Sequence, residues 1–304
     1  MGTPDFAVPS LKALHNSGHE VALVVTQPDR PRGRGQKVMF SPVKEAALEL
    51  GYDILQPLSV RTPEFYEKVV ALSPDIFVVV AFGHILPKKV LSIPEKGAIN
   101  LHASLLPKYR GPAPIQWAII NMEKETGVTA MLMNEGLDTG DILLSAKTEI
   151  FSKETSPSLH DRLSLMAGDL LILTLSGMST NSINPVSQDN SISTYAPLLK
   201  KKDGLIDWSK PAEEIEAFIR GMTPWPGAFT FIGRKRIKIF ASDVVFKDSK
   251  GDPGAVTGET RDRLYIATGK YLLSIKEIQE ESGKRLSIKD YLRGYSVTPG
   301  TILC

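Results

Sequence analysis

Short apolar segments alternate with helix-like segments through the first half of the chain. Residues 21–26 (VALVVT) and 76–82 (IFVVVAF) are almost continuously apolar, and polar or turn-forming residues follow each of them. Strands that are buried on both faces have this composition, whereas strands with one solvated face alternate between apolar and polar residues. The pattern therefore predicts an α/β domain in which helices cover both faces of a mostly parallel sheet. Ligands of such sheets bind beyond the carboxyl ends of the strands.

The remaining elements of this Rossmann-like domain follow from the same periodicity. We expect helices at 7–16, 42–50, 62–72, 114–122 and 157–177. We expect strands at 21–26, 76–82, 98–102 and 128–133. A Gly-Thr-Pro turn comes directly after Met1, where a turn of this kind usually follows a strand. The first strand of the sheet is thus expected to be missing here, with the true translation start upstream.

The second half of the chain differs from the first in composition and in apolar periodicity. Residues 178–193 (MSTNSINPVSQDNSIS) are polar and lack apolar periodicity, which is typical of an exposed linker. Short alternating strands separated by glycines follow at 227–278, as in a small OB-like β-barrel or a sandwich. We therefore expect a first domain at 1–177, a linker at 178–199 and a smaller C-terminal β-barrel domain at 200–304.

Charge balance, cysteine content and hydropathy limit the classes of protein to which the chain can belong, although they indicate no specific function. The 36 Lys and Arg residues nearly balance the 34 Asp and Glu residues, so an argument for nucleic acid must depend on local clusters. The single cysteine, Cys304, excludes an internal disulfide framework and suits a reducing compartment. No apolar run approaches the roughly 18 residues that cross a bilayer. We expect a cytoplasmic protein that acts as a monomer and does not bind membranes.

Two polar side chains lie at the end of the predicted strand 98–102. Asn100 and His102 are two residues apart, so they point to the same side of the strand at its carboxyl end. A second strand ends in a glycine-rich loop that carries Asp138 between Gly136 and Gly140. Glycines allow the backbone to turn sharply and to approach a ligand closely. Both strand ends are expected to meet at one edge of the sheet.

An amide donor, an imidazole and a carboxylate suit acyl transfer. Donors stabilise the oxyanion that forms on a carbonyl, while a base removes a proton from the attacking amine. No Ser or Cys stands in a nucleophile-elbow or Cys/His context, so we expect direct transfer without a covalent enzyme intermediate. No His/Glu spacing of the zinc type is present, so we expect no metal.

Several motifs together resemble the 10-formyltetrahydrofolate-dependent formyltransferases. The stretch Asn100–Gly111 (NLHASLLPKYRG) and the later GLDTGD, which carries Asp138, are similar to the signature of that family. Further stretches narrow the resemblance to members that act on methionyl-tRNA: GTPDFA, TQPDRP, PAPIQW and PWPGA. The similarity extends over nearly the whole chain.

The resemblance implies roles for particular residues. The catalytic residues of the family correspond to Asn100, His102 and Asp138. The donor would be 10-formyltetrahydrofolate, a cosubstrate that is consumed, and the acceptor would be the α-amine of initiator methionyl-tRNA. The folate ring would lie in an apolar slot formed by Phe82, Gly83, Ser104, Leu105, Leu106 and Pro107.

Three basic clusters are candidates for tRNA contact. The segment 30–37 (RPRGRGQK) carries Arg30, Arg32, Arg34 and Lys37, and the resemblance assigns this loop to the tRNA acceptor stem. A second cluster is Lys200, Lys201 and Lys202, and a third lies at 234–238 (RKRIK). Each cluster alone is typical of a solvated surface. Patches in both domains suit a large polyanion better than a small substrate.

Other functions stay open at this point. A glycinamide ribonucleotide formyltransferase, a nucleotide-sugar formyltransferase or a formyltetrahydrofolate hydrolase would share the Asn/His/Asp centre, although the basic loop and the C-terminal domain argue against them. A non-catalytic RNA-binding protein with a degenerate first domain is an alternative of a different class.

Overall fold

The structure is a computed structural model that describes residues 1–32, 37–248, 251–260 and 262–304. Contacts divide the chain into two compact units. The first unit comprises Met1–Pro114, Glu125–Glu149 and His160–Ala196. The second comprises Ile115–Lys124, Ile150–Leu159 and Pro197–Cys304. The units interleave along the sequence, whereas the predicted domains 1–177 and 200–304 and the linker 178–199 are contiguous. Those boundaries stay a prediction.

The helices begin where the sequence offers caps. Ser41 and Thr62 accept hydrogen bonds from backbone N–H groups of the first turns of α2 and α3, and a proline follows each cap. No helix of the described residues is long and apolar enough to span a bilayer. The helices are α1 (Val8–His15), α2 (Pro42–Glu49), α3 (Pro63–Ala71), α4 (Lys88–Leu91), α5 (Pro114–Ile120), α6 (Ser156–Ser179), α7 (Ala212–Met222) and α8 (Ile288–Gly294).

The strands of the first unit pair in three groups. They are β1 (Val24–Val25), β2 (Arg30–Arg32), β3 (Lys37–Met39), β4 (Ile54–Leu55), β5 (Phe77–Val79), β6 (Ala98–His102), β7 (Glu125–Leu132) and β8 (Ile142–Glu149). Strands β1 and β4 are parallel, and so are β5 and β6. Strand β7 is antiparallel to both β6 and β8, and β2 and β3 form a hairpin.

The prediction of a mostly parallel sheet is therefore corrected. In the four-stranded sheet β5-β6-β7-β8, two of the three pairings are antiparallel. The chain passes from β7 into β8 through a short loop without a crossover helix, and such a connection gives an antiparallel pair. Strand β8 was not predicted because only its first three residues form an apolar run and the remainder, 145–149 (SAKTE), is mostly polar.

A cavity of about 440 Å³ lies beside Met1 in the first unit. Residues 19–25 and 74–78 line it, and the two predicted strands 21–26 and 76–82 keep strand geometry only at 24–25 and 77–79. Between them, the N–H of Gly2 donates to Val25 O and the N–H of Val80 donates to Met1 O. Met1–Gly2 thus occupies one end of a strand position in the sheet.

The second unit contains an antiparallel sheet with the order β11-β12-β13-β10-β9. Its strands are β9 (Ala228–Ile232), β10 (Lys235–Val245), β11 (Val256–Thr260), β12 (Arg263–Ala267), β13 (Leu272–Glu280) and β14 (Leu286–Ser287). The C-terminal residues bridge both edge regions, since Ile232 pairs with Leu303 and Ala255 pairs with Ile302. The sheet therefore curls into a barrel-like form, in agreement with the predicted β class of this half.

Candidate active site

Strand β6 presents Asn100 and His102 on one side, as predicted. The alternate residues Ile99 and Leu101 are 0% and 3% exposed in the core. Asn100 is opposite Val79 of β5 and Met131 of β7, while His102 is opposite Thr129 of β7. The pleat of a strand between two neighbours therefore fixes where both polar side chains project.

The carboxylate of Asp138 lies next to both side chains. Asn100 Nδ2 donates to Asp138 Oδ1 at 3.4 Å, and His102 Nδ1 is 3.7 Å from Asp138 Oδ2. The backbone N–H of Gly111 also donates to Asp138 Oδ2, at 2.8 Å. His102 and Asp138 have side chains that are only 8% and 12% exposed. The structure thus brings together the three residues that the sequence singled out.

The loop that carries Asp138 is tightly formed. Asp138 itself has a φ of 53°, a left-handed conformation that Asp and Asn adopt more readily than most residues. A Cβ atom on Gly140 would lie 1.6 Å from the carbonyl oxygen of Leu132, so only glycine fits there. Asn134 Oδ1 accepts hydrogen bonds from Gly136 N and Thr139 Oγ1. These constraints direct the carboxylate towards β6.

The second ring nitrogen of His102 is already engaged. The Nε2 atom is 2.8 Å from the carbonyl oxygen of Tyr109. A carbonyl can only accept, so Nε2 carries a hydrogen and donates it. In the neutral imidazole, Nδ1 then holds the lone pair, and this atom faces Asp138. Proton exchange at His102 is therefore confined to Nδ1.

Sequence reasoning missed two residues that support this site, Gln188 and Thr194. Gln188 Nε2 donates to the carbonyl oxygens of Asp138 and Gly140 at 2.9 and 2.7 Å, and its Oε1 accepts from Arg110. Thr194 accepts from Tyr109 N through Oγ1 and from Arg110 N through its carbonyl. Both residues fall in the segment predicted as a linker, because nothing in a polar stretch without periodicity indicates such contacts.

The six residues of the predicted folate slot, called the frame below, differ in their exposure. Phe82, Ser104 and Leu106 are buried. Thr3 Oγ1 and Gln27 Nε2 both donate to the carbonyl oxygen of Phe82, and a Cβ atom on Gly83 would lie 2.4 Å from Gln27 Nε2.

Thr129 fixes the turn from Ser104 to Pro107. Its hydroxyl donates to Ser104 O at 2.7 Å and accepts from Leu106 N at 3.2 Å. Leu105 packs near Gly127, where a Cβ atom would lie 2.7 Å from Leu105 Cδ2. Ligand binding by this frame stays a prediction.

The base of the basic loop is anchored near the same frame. Asp29 pairs with Lys44 at 2.5 Å and accepts from Gln56 at 2.8 Å, and these hydrogen bonds lower the pKa of its carboxyl group. Burial, and then the positive charge of Arg30, lower the pKa of His84, which follows Phe82 and Gly83. Arg30 therefore lies within electrostatic reach of the slot.

The other predicted basic residues lie in the β2–β3 hairpin and in the second unit. Arg34 lies outside the described residues, and only the backbone of Arg32 and Lys37 is described, as the last pair of the β2–β3 hairpin. Lys200, Lys201 and Lys202 are exposed in the second unit. Contact of any of them with tRNA stays a prediction.

The cluster suits chemistry at a polarised carbonyl. The described residues contain no group of three or more His, Cys, Asp or Glu that could hold a metal ion. A side-chain amide, an imidazole with one free nitrogen and a carboxylate lie together at the end of β6. Such a set can donate hydrogen bonds to an oxyanion and can move a proton.

Two family models match the chain. One, described as formyl transferase, matches residues 1–175, and one described as formyl transferase, C-terminal domain, matches residues 198–296. The methionyl-tRNA formyltransferase of Citrifermentans bemidjiense is 50% identical over 303 residues, which are 100% of this chain and 95% of that protein. That of Caldanaerobacter subterraneus subsp. tengcongensis is 49% identical over 304 residues, with 100% and 98% covered.

Solved structures share the fold at lower identity. The N-formyltransferase from Helicobacter canadensis, in complex with folinic acid and dTDP-3-aminofucose, is 21% identical with a TM-score of 0.68, over 94% of this chain and 97% of that one. HypX from Aquifex aeolicus, in complex with tetrahydrofolic acid, is 17% identical with a TM-score of 0.60, over 92% and 50%. With both family models and full-length relatives in agreement, the chain belongs to the formyl transferase family, among relatives named methionyl-tRNA formyltransferase.

Proposed function

We propose that this chain transfers the formyl group of 10-formyltetrahydrofolate to the α-amine of initiator methionyl-tRNA. The observation that carries the proposal is the position of the Asp138 carboxylate, 3.4 Å from Asn100 Nδ2 and 3.7 Å from His102 Nδ1. Full-length relatives with this activity in their names support the substrate assignment.

In the proposed reaction, the amine attacks the formyl carbon directly. The amine nitrogen forms a bond to that carbon, the bond from the carbon to N10 of the folate breaks, the amine loses one proton and N10 gains one. Negative charge develops on the formyl oxygen as the tetrahedral intermediate forms. Asn100 Nδ2–H and a protonated His102 Nδ1 donate hydrogen bonds to this oxyanion. A single donor of this kind contributes about 10²–10³ in rate.

Asp138 orients both donors and carries the proton between the two nitrogens. Its Oδ1 fixes the amide of Asn100, and its Oδ2 faces the imidazole. The hydrogen bond from His102 Nε2 to Tyr109 O supports this division of roles, since it leaves Nδ1 as the only ring atom that can exchange a proton.

The folate cosubstrate would lie between the frame residues and the loop of Asp138. Phe82, Leu105, Leu106 and Pro107 offer apolar walls, and Gly83 and Ser104 keep the backbone close to a flat ring. The fit is supported by the burial of Phe82 and Leu106 beside polar groups that already have partners, so a ring would meet a preformed slot.

The tRNA would contact basic residues of both units. Arg30, Arg32, Arg34 and Lys37 would hold the acceptor stem, and Lys200–Lys202 would contact the RNA from an OB-like C-terminal barrel. For the fold, we propose that a strand N-terminal to Met1 would lie between β1 and β5, in the parallel part of the first unit, which the cavity beside Met1 supports. The enzyme would act in the cytoplasm as a monomer.

A comparison of acceptors tests the proposal. The wild-type protein is incubated with 10-formyltetrahydrofolate and one of three acceptors: initiator methionyl-tRNA, free methionine or glycinamide ribonucleotide. We expect rapid formylation of methionyl-tRNA and little of the other two. Efficient formylation of glycinamide ribonucleotide, or release of formate without transfer, would overturn the assignment.

A further inference from the structure

The carbonyl group that contacts the ring of His102 belongs to a residue with an unusual backbone conformation. Tyr109 O accepts from His102 Nε2 at 2.8 Å, and Tyr109 has a φ of 60°. This left-handed conformation is rare for a bulky residue, because its Cβ atom crowds the backbone. Such a residue stays there only where its surroundings hold it. The acceptor for His102 therefore depends on the contacts that hold Tyr109.

Thr194 holds Tyr109 through its hydroxyl group. Thr194 Oγ1 accepts from the backbone N–H of Tyr109 at 2.8 Å. Backbone groups continue the pairing, since Arg110 N donates to Thr194 O at 2.9 Å and Ala196 N donates to Arg110 O at 2.7 Å. Arg110 and Tyr195 thus form a parallel bridge. A change of side chain at position 194 leaves these backbone bonds in place and removes the contact at the strained residue alone.

The same loop contacts the carboxylate of the site. Gly111 N donates to Asp138 Oδ2 at 2.8 Å, and this oxygen is 3.7 Å from His102 Nδ1. The imidazole of His102 thus lies between two acceptors, the Tyr109 carbonyl and the Asp138 carboxylate. A neutral imidazole carries one ring hydrogen, so the two acceptors compete for it. Tyr109 O is the nearer of the two, which places the hydrogen on Nε2.

We propose that Thr194 is a positioning residue for His102 and acts through the backbone of Tyr109. The Thr194 hydroxyl keeps the Tyr109 carbonyl at Nε2, so the ring hydrogen stays there and the lone pair of Nδ1 faces Asp138. Without the hydroxyl, Tyr109 relaxes from its left-handed conformation, and the hydrogen moves to Nδ1, where the carboxylate accepts it. The neutral ring then has no lone pair at Nδ1 to take a proton. That this proton belongs to formyl transfer rests on the proposed function, whereas the hydrogen bonds do not.

The ring nitrogens of His102 report the position of the hydrogen directly. In full-length protein with ¹⁵N-labelled histidine and no substrate, the ring ¹⁵N shifts distinguish Nε2–H from Nδ1–H, and H102Q assigns the His102 signals. The spectra are recorded at about pH 8.5, where a histidine is ordinarily neutral. We expect Nε2–H in the wild type and in T194S, which keeps the hydroxyl. In T194V, the ratio of Nδ1–H to Nε2–H should rise about tenfold, as the loss of one hydrogen bond would give.

Formylation of methionyl-tRNA measures the consequence for the reaction. In T194V, we expect the single-turnover rate to fall by about 10- to 100-fold, while the steady-state KM for tRNA changes by less than about twofold. T194S should retain most of the rate. The matched control is T180V in the same unit, because the exposed Thr180 hydroxyl contacts only Ser176 O, Gly177 O and Ser182 Oγ among the described residues. Its rate should lie within about twofold of the wild type.

The spectra and the rates separate this proposal from the proposed function. Thermal unfolding of each variant verifies that it is folded. If the wild type formylates methionyl-tRNA while T194V keeps both the Nε2–H form and its rate, Thr194 is not a positioning residue and the proposed function stands. In an active enzyme, a change of rate without a change of tautomer, or the reverse, would also overturn the proposal. If T194V shifts the tautomer but the wild type formylates no acceptor, the proposed function fails and the positioning of His102 stands.

Discussion

At the scale of single residues, the candidate site depends on side chains that hold Asp138 in place. Gln188 links the carbonyl oxygens of Asp138 and Gly140 to Arg110, although it is remote in sequence from all three. A catalytic carboxylate must be held within a fraction of an ångström of its productive position. Gln188 is therefore a positioning residue for Asp138.

Replacing Gln188 should lower the rate of the chemical step more than it weakens substrate binding. In Q188L, the loop of Asp138 loses two hydrogen bonds, so we expect kcat to fall by about tenfold with a small change in KM for tRNA. In Q188E, Oε1 can still accept from Arg110, and part of the activity should return. Gln279, which donates to Gly283 in the second unit, offers the control Q279L. If Q188L has an unchanged kcat, the hydrogen bonds from Gln188 to the loop of Asp138 have no role in catalysis.

Gly111 is a second position where the fold requires a particular residue, because only glycine fits there. Its φ is 111°, and a Cβ atom there would lie 2.6 Å from Tyr195 Cε2 and 2.9 Å from Ala196 O. In G111A, the chain must shift and its N–H moves away from Asp138, so we expect a loss of about 1–3 kcal/mol in unfolding free energy together with reduced formylation. The control is G294A, where a Cβ meets nothing within 4 Å. Chemical denaturation of both variants measures the difference; equal stability would contradict this explanation.

At the scale of elements, the sequence predicted those helices and strands that have a strong local sequence pattern. Strand β6 and helix α3 lie within a residue of their predicted positions, because an apolar run and a Thr-Pro cap mark them. Strand β8 was missed because it lacks an apolar run. Helix α7 was missed although Ile215, Ile219 and Met222 recur at helical spacing on its buried face. The approach of Asp138 to Asn100 and His102 was predicted, but the reason for it was wrong. Strand β7 is antiparallel to β6 and its Leu132 pairs with Ile99, so the loop after β7 starts at the amino end of β6 and turns back to bring Asp138 to His102. The contacts of Gln188 were not predictable, because only tertiary structure creates them.

The N-terminal end of the sheet provides a prediction at this scale. In a chain that is made to begin at Met1, the ammonium of Met1 donates to Val78 O at 2.7 Å, and burial lowers its pKa to about 5 from 8.0. Between these values, the unfolded chain binds more protons than the folded one, so unfolding free energy rises as pH increases from 5 to 8. Three pKa units correspond to about 4 kcal/mol at most.

An apolar extension before Met1 should both remove this pH dependence and raise stability. Five alternating Val and Ile residues placed there can pair with residues 21–25 and 76–78 and fill the cavity of about 440 Å³. We expect a higher Tm and a flatter profile of Tm against pH than for the chain that begins at Met1. The control is an extension of five Gly and Ser residues, which removes the charge without filling the cavity. Equal Tm values for the two extensions would contradict a strand position at this place.

At the scale of the whole molecule, the two units carry different parts of the proposed reaction. The first contains the Asn100–His102–Asp138 cluster and the residues proposed to hold the folate, and the second contains the barrel-like sheet and the exposed residues Lys200–Lys202. Family models match the two regions separately. Chemistry and RNA binding should therefore be separable by mutation. Variants of Asn100, His102 and Asp138 should lower kcat, whereas variants of Arg30 in the first unit and of Lys200–Lys202 in the second should weaken tRNA binding.

Single-turnover formylation of initiator methionyl-tRNA by N100A, H102A and D138N tests the central claim most directly. D138N suits this purpose because Asn tolerates the left-handed backbone at this position, so the charge is removed with little strain. With enzyme in excess and tRNA binding measured in parallel, we expect each variant to bind tRNA like the wild type and to transfer the formyl group about 10²–10³ times more slowly. Near-normal single-turnover rates in these variants would contradict the assignment of catalysis to Asn100, His102 and Asp138.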